Sequence, residues 1–109
     1  MIGKREARRT FKEKQTPKGV FAVRCATSGE VWLGSSANLD SSRTGIWFLL
    51  RNGMHHNKAM QAAWNEHGAD AFQYDILENF KEDLSPMQLG DLLRDRLKHW
   101  RAELGAAAI

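Results

Sequence analysis

This 109-residue chain has a single cysteine, two prolines and no apolar run longer than the five residues "IWFLL" at Ile46–Leu50. Each scarcity excludes something. Cys25 alone cannot form an internal disulfide and fits a reducing compartment, and the first residues lack the apolar stretch of a secretory signal, so the cytoplasm is the expected location. Five apolar residues fall far short of the roughly 20 that cross a bilayer, so no membrane role is expected. What is present, 42% hydrophobic and 27% charged residues, is the balance of an ordinary globular protein. A chain of this length is expected to form one domain that buries roughly 60–70% of its unfolded surface, enough for a core without disulfide or metal support.

Charge is unevenly distributed. Residues 1–18 carry seven basic side chains, Lys4, Arg5, Arg8, Arg9, Lys12, Lys14 and Lys18, against Glu6 and Glu13, a net of +5. The remaining 91 residues carry nine basic and eleven acidic side chains, a net of −2. A basic arm on a nearly neutral body suits a polyanion, because each Lys or Arg near a phosphate releases condensed counterions. The other reading of the arm is a solvated tail that aids solubility. The pattern predicts a basic N-terminal arm over 1–18, marginally helical with Ala7 and Phe11 on one stripe and ended by Pro17, followed by a body over 19–105.

Within the body, "GVFAVRC" and "VWLGSS" alternate as two strands around "TSGE", where Gly29 is free to take positive φ. Asn38 is placed to cap a helix running to about Asn52 with Ile46, Leu49 and Leu50 on one side. Gly45 inside it costs about 1 kcal/mol relative to alanine, which predicts compensation through close packing on the sheet. Asn57 caps a second helix with Met60, Ala63 and Trp64 inward, ended by Gly68. "FQYDIL" alternates as a third strand. Ser85, Pro86 and Gln88 form a strong start signal for a last helix, expected to bury Leu89, Leu93, Leu97, Trp100 and Leu104 before Gly105 stops it. This order implies an α+β fold: a small three-stranded antiparallel sheet flanked by helices.

The segment Gly19–Leu104 resembles the GIY-YIG endonuclease superfamily. "GVF" stands at the first motif, "VWLGSS" at the strand ending in the second, and "NKAMQAAWNEHGADAFQYDILE" matches a stretch usual in many members. The resemblance implies a GIY-YIG-like sheet flanked by helices and, in active members, one divalent ion, usually Mg²⁺, used to cleave DNA phosphodiesters. Such hydrolysis needs a base for water, cations for the phosphoryl charge and a carboxylate for the metal. The resemblance assigns those tasks to two tyrosines, an arginine, a histidine and a glutamate, and this sequence departs at nearly all of them. The tyrosine positions hold Phe21, without a hydroxyl, and Trp32, whose indole only donates. The arginine position falls at Ser42, with Arg43 beside it. A histidine position one turn on holds Ile46, and a later one is matched by His55. The glutamate position holds Leu97, the nearest acids being Asp91 and Asp95.

The reading that follows is a nucleic-acid-binding protein, with DNA the expected partner, built on a degenerate nuclease fold with little or no cleavage. Its expected contacts are the seven basic residues of the arm with Arg43, Arg51 and Lys58, which form either a basic rim or a solvated face. The alternative is a divergent Mg²⁺-dependent endonuclease using Arg43 and His55, with Asp95 as metal ligand. A further alternative is a protein-interaction module using an exposed aromatic such as Trp47. Each residue also has a plainer role available: hairpin core for Phe21 and Trp32, a helix start for His55 and His56, surface ion pairs for Asp91, Arg94, Asp95 and Lys98, and a small buried hydrophobe for Cys25.

Overall fold

In the computed structural model, which describes residues 17–81 and 83–109, the chain begins with a hairpin. Strands β1 (Gly19–Cys25) and β2 (Val31–Ser36) pair antiparallel. The turn between them is closed by hydrogen bonds from the Gly29 N–H to the Cys25 carbonyl (2.8 Å) and from the Cys25 N–H to the Glu30 carbonyl (2.9 Å). Gly29 takes φ +80°, the left-handed conformation that such a turn asks of one residue. Helix α1 (Leu39–Arg51) starts at Asn38, whose side chain accepts from the Ser41 N–H, and α2 (Lys58–His67) starts at Asn57, which accepts from the Met60 N–H. Both caps stand where the sequence places them. A short 3₁₀ turn, Ala69–Ala71, leads into β3 (Phe72–Asn79), and α3 (Pro86–Leu104) opens with the expected capping box between Ser85 and Gln88.

Alternation along the sheet sends side chains to two faces. Phe21, Val23, Cys25, Trp32 and Phe72 join Leu39, Leu50, Met60, Ala63 and Trp64 from α1 and α2 in one core. Val20, Ala22 and Leu33, all fully buried, point to the other face, which α3 covers. The third strand is irregular in a way that matters for this division. Its register with β1 jumps from Phe21↔Ile76 to Val20↔Glu78, leaving Leu77 as the extra residue of a β-bulge. Strict alternation would put Glu78 on the same face as Phe72 and Tyr74; the bulge turns it to the face of Val20 instead. There its carboxylate accepts from Arg96 Nε (2.8 Å) and Trp100 Nε1 (2.9 Å), tying α3 to the sheet.

Three expectations are corrected. The sheet has four strands, not three, in the order β3-β1-β2-β4, and it is mixed: β4 (Ala107–Ala108) runs parallel to β2. Gly105 turns the chain back after α3, and the Ile109 N–H reaches the Leu33 carbonyl at 2.9 Å. Two alanines carry no alternation that marks a strand. The stripe on α3 is not a buried one: Leu89, Leu93, Leu97 and Trp100 are half-buried and Leu104 is exposed, because the helix lies on one side of the sheet and touches little else. Gly45 has no close packing to explain it, since a Cβ there would meet nothing within 4 Å. The predicted helical arm falls in residues 1–16, outside the described residues.

Candidate functional site

Among the described residues two places bear on function: the face of the hairpin where the resemblance expects tyrosines, and the outer face of α1. On the hairpin, Phe21 and Trp32 are 4% and 3% exposed. Phe21 stacks on Tyr74 with ring centroids 4.8 Å apart, and Trp32 lies parallel to Phe72 at 6.2 Å. Trp47 closes the group from α1, its ring edge-on to Phe72 and Tyr74 and tilted against Trp64. Gly34 belongs to the same packing, because a Cβ on it would stand 2.5 Å from the Phe21 ring.

The one tyrosine of the chain, Tyr74, donates its hydroxyl to the Leu39 carbonyl at 2.9 Å. Burial pushes its pKa far above the ordinary value, the Asp40 carboxylate adds to this, and the Arg43 guanidinium works against it. The hydroxyl therefore stays protonated and engaged, a donor rather than a base.

At the arginine position, Ser42 donates to Ser36 Oγ, which also accepts from the Asn38 N–H (3.0 Å) and donates to the Asn38 carbonyl (2.9 Å). These hydroxyls fix the passage from β2 into α1. The helix is regular through Ser42, whose N–H reaches the Asn38 carbonyl at 3.0 Å. Arg43 therefore stands about 100° around from Ser42, facing outward.

His55 is buried at 7% exposure. Its Nδ1 accepts from the Asn57 N–H and its own N–H donates to Gln61 Oε1, both at 3.0 Å. Burial, and then the charge of the stacked His56, hold its pKa below the ordinary value. With Nδ1 engaged as acceptor, the neutral ring carries its proton on Nε2. The residue acts as the start of α2. Gln61, which the sequence did not single out, completes this joint by donating Nε2 to the Leu50 carbonyl at 3.0 Å.

Arg43 and Arg51 do share a surface. With Asp40, Thr44, Trp47 and Phe48 they line a groove of about 380 Å³ along α1. Phe48 is 59% exposed, whereas Trp47, the aromatic singled out from sequence, is half-buried. Counting three and four residues back from Arg51 gives Phe48 and Trp47, so helical periodicity was the signal for this pairing. Lys58 is exposed at the first position of α2, and Lys18 is half-buried beside β1. Asp95 is exposed on α3, across the sheet from α1. Among the described residues no three His, Cys, Asp or Glu side chains gather as metal ligands. Arg43, His55 and Asp95 are thus not brought together. Lys4, Arg5, Arg8, Arg9, Lys12 and Lys14 lie outside the described residues. No helix among those described is long and apolar enough to cross a membrane.

A mixed sheet with α1 and α2 on one face and α3 on the other is the GIY-YIG-like fold. It is shared by the catalytic domain of the homing endonuclease I-TevI, with a TM-score of 0.71 at 23% identity over 84% of this chain and 97% of that one. An alanine mutant of the same intron endonuclease domain gives a TM-score of 0.70 at 23% identity over 83% and 86% of the two chains. No protein-family profile matches this chain. No curated protein matches it either.

Proposed function

We propose that this chain binds nucleic acid, DNA in the first instance, through a nuclease-like fold with little or no capacity to cut it. The observation that carries this reading is the burial of Phe21 and Trp32 in an aromatic stack at the two positions where the resemblance asks for reactive hydroxyls. The likeness to endonuclease catalytic domains supplies the class of partner, and the pair Arg43 and Arg51 supplies cations on an accessible face.

The donor set does not fit the Mg²⁺ that the resemblance implies. Leu97 holds the carboxylate position and is half-buried on α3, while Asp95, two residues earlier, is exposed and about 200° around the helix. An endonuclease built on Arg43, His55 and Asp95 would need side chains from α1, from the joint before α2 and from the far face of the sheet to meet.

Supercoiled plasmid incubated with the protein and Mg²⁺ or Mn²⁺ provides the test. The expected result is retarded but uncut plasmid, with binding that weakens steeply as salt rises. Metal-requiring scission that disappears in Arg43→Ala would overturn the proposal.

A further inference from the structure

Phosphate contacts explain the two arginines of the α1 groove but not the large aromatic exposed between them. A duplex presents its charged backbone and keeps its bases stacked, so an exposed ring on a phosphate-binding face adds little to duplex affinity. An unpaired base offers a flat apolar surface, and an aromatic side chain is the matching platform.

Along the α1 axis the order is Arg43, Phe48, Arg51, with Phe48 about 60° around the helix from Arg51 and about 140° from Arg43, and all three line one groove whose floor, Trp47, is anchored on Trp64, Phe72 and Tyr74. The arginines stand about 12 Å apart along the axis at 1.5 Å per residue, a span of a few nucleotides. Asp40 closes the N-terminal end of the groove. Its charge repels phosphate there and restricts the strand to the part between Arg43 and Arg51. We infer that the α1 groove is a single-strand site, in which a base of unpaired DNA or RNA stacks on Phe48 while Arg43 and Arg51 hold the flanking phosphates. The inference rests on the nucleic-acid-binding reading above and names its substrate form.

Three fluorescent probes of equal length separate the terms: single-stranded oligo-dT, a duplex, and an abasic oligonucleotide that keeps the phosphates without the bases. The single strand is expected to bind more tightly than the abasic strand. Phe48→Ala should weaken single-strand binding about 5- to 150-fold, the range found for losing one stacking partner, and should leave duplex and abasic binding unchanged. Phe48→Trp should preserve the preference. Arg43→Ala with Arg51→Ala should weaken all three probes and flatten their salt dependence. Phe48 is largely solvent-exposed, so these variants are expected to melt with the parent, which circular dichroism checks. Equal binding of single-stranded and abasic probes, or a Phe48→Ala loss shared by both, overturns the inference while leaving nucleic-acid binding intact. The absence of salt-sensitive binding to any probe overturns the binding reading and the inference together, and preferential binding of a polyglutamate peptide assigns the groove to an acidic protein partner.

Discussion

Gly45 and Gly34 are both glycines in regular elements, and the space around them predicts opposite responses to a methyl group. At Gly45, mid-helix and exposed, a Cβ would meet nothing within 4 Å, so Gly45→Ala should stabilise the fold by about 0.5–1 kcal/mol through helix propensity. Thermal melting should then rise by several degrees for a domain of this size. At Gly34 the added Cβ would stand 2.5 Å from the Phe21 ring, itself held against Tyr74 at 4.8 Å. The ring cannot retreat without disturbing the aromatic group, so Gly34→Ala should cost about 1–3 kcal/mol by overpacking. A denaturant midpoint unmoved at Gly34 would mean that the ring gives way more easily than its stacking implies. Sequence reasoning could see that Gly45 was expensive but not that nothing offset it, because packing distance is a property of the folded chain. It did identify Phe21 and Trp32 as structural rings: strand alternation fixes which face they occupy, and a phenyl or indole on a covered face has little option except the core.

At the level of elements, the joint between α1 and α2 is held by a neutral histidine, which makes it sensitive to pH. The folded state holds His55 below its ordinary value of 6.5, so below that pH the unfolded chain binds more protons than the folded one. The stability contributed is therefore present above about pH 6.5 and is lost as the pH falls from there through the lowered folded value. Urea midpoints should fall between pH 7.5 and 5.5, and His55→Asn, whose Oδ1 can still accept from the Asn57 N–H, should remove most of that dependence. Glu78 titrates in a separate, more acidic window. Burial alone would raise its carboxyl, but the hydrogen bonds from Arg96 and Trp100, with the charges of Arg96 and His99, leave it below the ordinary 4.5. Its share of stability is present above that value and lost as the pH falls through the folded one, so a second drop below pH 4.5 should be absent in Glu78→Gln. The elements themselves were mostly legible: caps at Asn38, Asn57 and Ser85 are local chemistry and reappear in place. The β-bulge at Leu77 and strand β4 were not, since each is decided by the partner strand rather than by the residues that form it.

Across the whole molecule the largest asymmetry is electrostatic, and it decides how binding should respond to losing the arm. Deletion should end at residue 16 rather than 18, because the Pro17 carbonyl accepts from the Leu39 N–H and the Lys18 carbonyl from the Phe80 N–H, both within the folded body. Residues 1–16 hold six basic and two acidic side chains, so their removal takes the chain from a formal charge of +3 to −1. If each of the six meets a duplex phosphate, the slope of log affinity against log salt should flatten by about five, at roughly 0.9 per contact. Most duplex affinity at low salt should vanish with it. The α1 groove depends on different residues, so the truncated chain should keep a weaker, Phe48-dependent preference for single-stranded over abasic probes even after duplex binding is gone. Fluorescence anisotropy of the truncated and full chains across a salt series measures both effects at once. An unchanged duplex slope would reduce the arm to a solvated tail and move the burden of phosphate contact onto Lys18, Arg43, Arg51 and Lys58, too few cations to give the steep salt dependence expected of the full chain.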